Sequence, residues 1–77
     1  MSNYEYIMVS AVRYALGRMT YIVELTVDYI LEQIENDKLS DYCLSLIKKD
    51  IENTKNFGME CDKQKWMQLK NKIEEVI

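Results

Sequence analysis

The chain has 77 residues, 48% of them hydrophobic and 30% charged, with a net charge of −3, no histidine, no proline and two cysteines. One domain is the limit at this length, and its stability margin is thin, because a domain of roughly 60 residues buries only about 60% of the surface its unfolded chain exposes. Without histidine and without a CxxC pair a structural zinc site is disfavoured, and ten basic against thirteen acidic residues disfavour general nucleic-acid binding, which calls for a basic excess.

Ser2 followed by Glu5 reads as a capping box opening a first helix. From there Tyr4, Ile7, Met8, Ala11, Val12, Ala15 and Leu16 recur at three- and four-residue steps, the spacing of one helical face, and Gly17 supplies a left-handed stop. Tyr6, Val9 and Tyr14 lie off that stripe, so the helix is apolar over much of its circumference and belongs at the centre of the domain or at a dimer interface.

Thr20 is placed to cap a second helix running to about Asn36, with Ile22, Val23, Leu25, Val27, Ile30, Leu31 and Ile34 as its apolar set. Its first turns are rich in β-branched residues and alone are compatible with a strand. Glu24, Asp28, Glu32 and Glu35, however, fall at i, i+4, i+8 and i+11, which stacks four carboxylates on one helical face and has no logic at period two.

Asn36, Asp37 and Lys38 form a predicted turn. Leu39 and Leu44 then bracket Ser40 as a hydrophobic staple around a cap, opening a third helix with Cys43, Leu46, Ile47, Asp50, Ile51 and Thr54 on its inner face. Asn56-Phe57-Gly58 is its predicted end. A fourth helix is predicted from a cap at Asp62, with Trp66, Leu69, Ile73, Val76 and Ile77 directed to the core. The short connections suit neighbouring antiparallel helices.

Candidate chemistry is sparse. With no histidine the commonest general base is missing, and no nucleophile has a visible catalytic partner, so no enzymatic activity and no cofactor are expected. Cys43 sits in the apolar register of the third helix and reads as a small buried hydrophobe, whereas Cys61 reads as an exposed loop residue. One disulfide between them is formally open, but secreted mini-domains are cysteine-dense. The longest uncharged run, Tyr6 to Val12, is seven residues, and Glu5 stands where a signal peptide carries basic charge. The expectations are therefore a cytoplasmic protein with reduced thiols and no membrane span. Subunit association is the staple that remains for so small a chain.

Two surfaces stand out as partner-binding candidates. The carboxylate row Glu24, Asp28, Glu32 and Glu35 is either a solvated face or a mimic of a row of phosphates that occupies a basic groove on a partner. The segment Arg13 to Val23 holds both arginines of the chain around Gly17, beside Tyr14 and Tyr21. Arg13 and Arg18 either brace the corner of the first two helices, through terminal carbonyls and Glu24 or Asp28, or form with Tyr14 and Tyr21 an exposed contact surface. Trp66 reads as core. Lys63, Lys65, Lys70 and Lys72 around it offer a basic-aromatic mixture, diluted by Asp62, Glu74 and Glu75.

The Arg13 to Val23 segment, ArgTyrAlaLeuGlyArgMetThrTyrIleVal, resembles a motif near the N-terminus of short proteins encoded by phages and prophages of Gram-positive bacteria. Small acidic helical chains without enzymatic motifs are also similar as a class to phage-encoded inhibitors of bacterial defence, including anti-CRISPR and anti-restriction proteins. The expectation is an all-α bundle of three to four helices, dimeric through its first two, that blocks a host defence effector by protein contact. The alternative is a small nucleic-acid-binding regulator or phage accessory factor using Arg13, Arg18 and the C-terminal lysines.

Overall fold

A computed structural model describes all residues, 1–77, as four helices: α1 Asn3–Ala15, α2 Thr20–Glu35, α3 Asp41–Glu52 and α4 Glu60–Val76. The helices form a closed ring in which α1 packs on α2 and α3, and α4 packs on the same two neighbours. Helices α2 and α3, although consecutive, occupy opposite corners and do not touch. The 36–40 connection therefore crosses the end of the bundle diagonally, over the start of α1, where a link between adjacent helices was expected.

Glu5 makes that crossing possible. Ser2 caps α1, its Oγ accepting from the Glu5 amide at 3.2 Å while Glu5 Oε1 accepts from the Ser2 amide at 3.2 Å, which completes the predicted capping box. The second oxygen, Oε2, accepts from the Ser40 amide at 2.8 Å and the Ser40 hydroxyl at 2.6 Å. Ser40 in turn caps α3, its Oγ accepting from the Cys43 amide at 3.2 Å. One carboxylate thus joins the N-termini of two helices, and Leu39 and Leu44, both buried, close the staple beside it.

The bonds from Ser40, followed by the Ser2 amide, hold the Glu5 carboxyl down at about 2, against an ordinary value of 4.5. A carboxylate with a depressed folded-state pKa stabilises the fold fully above the ordinary value and loses that contribution as the pH falls toward the folded value. Thermal melts should therefore show the midpoint falling between pH 4.5 and about 2. In Glu5→Gln the midpoint is expected to start lower and fall less over that window. A wild-type and variant pair with parallel pH profiles would contradict the clasp.

The core draws on every helix: Val12, Val23, Val27, Ile30, Cys43, Ile47, Ile51, Trp66, Leu69 and Ile73 are all essentially inaccessible. On α1 the buried arc is rotated from the predicted stripe, for Val9 is 3% exposed and Ile7 is 62% exposed. The reason is the corner position of α1, which must face both α2 and α3. A helix apolar all round gives no periodic signal to say which arc is central.

Other boundaries also move. Met19, not Thr20, is the N-cap of α2, and the Thr20 hydroxyl lies 3.7 Å from Met59 Sδ. Helix α3 stops at Glu52, before the predicted Asn56-Phe57-Gly58. Helix α4 begins at Glu60 with Met59 as its N-cap, so Asp62 is the third residue inside; it is buried, and its Oδ2 reaches back to the Met59 amide at 3.4 Å. Gly17 follows the Leu16 C-cap of α1 with φ 79°, as a helix-ending glycine requires, whereas Gly58, with φ 87°, stands just before the Met59 cap of α4 and not at the end of α3, and Asp37 adopts φ 54° in the crossing turn. Leu25, Val76 and Ile77, assigned to the core from their spacing, are exposed.

Candidate functional site: two faces of the second helix

Helix α2 buries one side, through Val23, Val27 and Ile30, and turns Glu24, Asp28, Glu32 and Glu35 outward. All four predicted carboxylates are exposed and share one face, because residues three and four apart are neighbours on a helix surface. Asp28 alone is engaged, its Oδ1 lying 2.7 Å from Lys65 Nζ on α4. Glu24, Glu32 and Glu35 have no ion-pair partner. The lower part of the row borders a groove of about 430 Å³ between α2 and α4, lined by Asp28, Leu31, Glu32, Glu35, Gln68 and Lys72.

The arginine and tyrosine segment divides. Arg13 Nε donates to Asp50 Oδ2 at 2.8 Å, tying α1 to α3 and away from the corner, and it bonds neither Glu24 nor Asp28. Arg18 stays at the corner: its Nε donates to the Tyr14 carbonyl at 3.1 Å, and its guanidinium carbon sits 4.7 Å from the Tyr14 ring centroid. Tyr14 and Tyr21 are both exposed. Bracing by a terminal carbonyl and an exposed aromatic surface coexist in Arg18 and Tyr14.

The lysines of α4 are largely spoken for. Lys65 meets Asp28, Lys70 lies 3.8 Å from Glu52 and 3.6 Å from Glu74, and Lys72 lies 3.6 Å from Glu75. Each pair is exposed enough to be worth only about 0–1 kcal/mol. Together they leave the C-terminal half with no continuous basic stripe.

Sequence reasoning missed a second face of α2. Tyr21, Leu25 and Tyr29 recur every four residues outside the core, and all three are exposed. With Met8 and Ala11 of α1, Leu25, Thr26, Tyr29 and Ile30 line an apolar groove of about 320 Å³ along the α1–α2 seam. Tyr4 bridges the far end of that seam, its hydroxyl donating to Gln33 Oε1. Burial raises the Tyr4 phenol above its ordinary value, and the neighbouring Tyr29 hydroxyl pushes the same way. The available signal was the four-residue recurrence of large apolar side chains that the carboxylate row could not share.

Both cysteines are free thiols, Cys43 buried and Cys61 exposed as expected, but Cys61 lies in the first turn of α4 and not in the expected loop. Burial, with the Glu5 charge nearby, pushes the Cys43 thiol up to about 11. One thiol should therefore react with a disulfide reagent such as DTNB in the native protein and two after denaturation. Rapid titration of both in the native state would contradict the packing of α3. No group of three or more Cys, Asp or Glu side chains is placed to hold a metal ion, and no helix is long and apolar enough to cross a membrane.

Compared with protein-family models, curated proteins and solved structures, the chain matches none.

Proposed function

We propose that this chain is a non-catalytic, phage-encoded inhibitor that blocks a bacterial defence effector by laying the carboxylate row of α2 in a basic groove of its target. The observation that carries the proposal is the exposure of Glu24, Asp28, Glu32 and Glu35 on one side of a helix anchored on its other side by Val23, Val27 and Ile30. Carboxylates one turn apart recur about every 6 Å along a helix. A regular row of anions on a rigid rod is what a groove built for phosphates recognises, and its long-range field speeds encounter with a basic partner. The Arg13 to Val23 resemblance supports the phage origin, and the ion pairing of Lys65, Lys70 and Lys72 weighs against a nucleic-acid-binding role.

The test is affinity capture from the bacterial host with tagged wild-type chain and with a variant carrying Lys at positions 24, 28, 32 and 35. An effector retained by the wild type, released by added duplex DNA or RNA and lost from the variant supports the proposal. Equal retention by both chains removes it.

A further inference from the structure

The open face of the α1–α2 hairpin carries two parallel rows. On α1, Ile7, Ala11 and Tyr14 follow one another at steps of four and three, and Arg18 lies against Tyr14 just past the helix end. On α2, Tyr21, Leu25, Tyr29 and Glu32 follow at steps of four, four and three. Ile7, Tyr14, Tyr21, Leu25 and Tyr29 are 62, 58, 58, 66 and 48% exposed. At roughly 200 Å² per large side chain they leave about 600 Å² of largely apolar surface in water.

That face also has a polarity. Its turn end holds Arg18, which has no acidic partner, and its far end holds Glu32, which has no basic one. The bond between Tyr4 and Gln33 fixes the N-terminus of α1 beside the C-terminus of α2, so the two charges stand at opposite ends of one apolar strip. A twofold axis perpendicular to the strip reverses it end for end. Laid on itself that way, the strip matches apolar centre to apolar centre and Arg18 to the Glu32 of the other copy, twice.

We infer that this face is the seam of a twofold homodimer, with the α1–α2 groove filled by Leu25 or Tyr29 of the second copy and the ends closed by reciprocal Arg18–Glu32 pairs. The apolar strip of about 600 Å², extended by the charged ends Arg18 and Glu32, approaches the ~800 Å² per partner of a standard stable interface. Both cysteines are free, so no disulfide adds to the stability of so small a domain, and association is the addition that the exposed strip allows. Glu24, Asp28 and Glu35 lie outside the rows of the seam and stay exposed in the dimer, whereas Glu32 is taken up by Arg18 of the second copy, so each protomer of the dimer offers three of its four carboxylates to a target. The inference does not rest on the identity of that target.

Sedimentation equilibrium of the purified chain from 1 to about 200 μM tests it. The expected result is a mass twice the 9.2 kDa of one chain. Leu25→Arg, at a position already exposed in the single chain, is expected to yield a monomer of unchanged helicity. Arg18→Glu is expected to weaken association at least tenfold, and adding Glu32→Arg to restore it. A wild-type monomer throughout the range, a Leu25→Arg dimer of wild-type affinity, or failure of the charge swap to restore association overturns the seam. Target capture by the monomeric Leu25→Arg chain is scored separately, so loss of the dimer and loss of the inhibitory role are distinguishable.

Discussion

Trp66→Ala is expected to remove a large share of the chain's stability and to lower its melting midpoint by roughly 10–40 °C. Trp66 is the largest of the fully buried side chains, and its helix, α4, packs on both α2 and α3, so its removal opens a cavity where three helices meet. Truncations of this kind cost about 3–5 kcal/mol. A domain of 77 residues has only about 4–12 kcal/mol in total. Trp66→Phe separates volume from polarity, because the indole Nε1 is buried without a hydrogen-bond acceptor. Leaving such a donor unpaired costs about 1–3 kcal/mol in the native protein, and phenylalanine does not carry it. The Phe variant is therefore expected to fold, with a midpoint much closer to the wild type than to the Ala variant. Melts followed by far-ultraviolet ellipticity decide this, and an Ala variant within about 1 kcal/mol of wild type would mean that Trp66 does not carry the packing of α4 on its neighbours.

Reversing the carboxylate row should have the opposite signature, with a large effect on binding and a small one on folding. Glu24, Asp28, Glu32 and Glu35 are all exposed, and within the chain the reversal breaks a single ion pair, that of Asp28 with Lys65, worth about 0–1 kcal/mol at this exposure. Replacing four carboxylates by lysine moves the net charge from −3 to about +5. A basic groove that attracted the wild type then repels the variant, and association is weakened chiefly through the encounter rate. The wild-type association rate should fall steeply with added salt, since screening acts on these solvent-exposed charges.

Most of the fold was legible in the sequence because its start signals are local. Ser2 with Glu5, and Leu39-Ser40 with Leu44, mark helix starts whose signal lies within six residues. Gly17 ends α1 because glycine takes positive φ without strain, and the same freedom puts Gly58, read as the end of α3, in the turn that leads into α4. What could not be read was long-range. Nothing near Glu5 announces that its second oxygen will hold Ser40, which is the bond that sends α2 and α3 to opposite corners. Asp62 was misplaced because an aspartate suits both the cap position and the third helical position, and Met59, a residue with no capping preference, stands at the cap.

The candidate surfaces were legible to the same degree. A carboxylate row at helical spacing is a property of one helix, and its exposure followed from the apolar residues opposite it. Arg13 was assigned to the corner of α1 and α2, yet its partner is Asp50, thirty-seven positions away. In the sequence Tyr21 reads with the arginine corner, Leu25 with the apolar set of α2 and Tyr29 with neither, so the row they form stays hidden, and only the ring order of the helices shows which flank of α2 remains uncovered.

Competition is the most direct measurement of how this chain acts. The effector captured by the wild type is titrated with a duplex DNA or RNA of its own preference in the presence and absence of the chain. The expected result is mutual exclusion: the chain and the nucleic acid displace one another, and the variant with lysine at positions 24, 28, 32 and 35 displaces nothing. A ternary complex of effector, nucleic acid and wild-type chain, or displacement by the lysine variant as strong as by the wild type, would contradict a carboxylate row acting in place of phosphates.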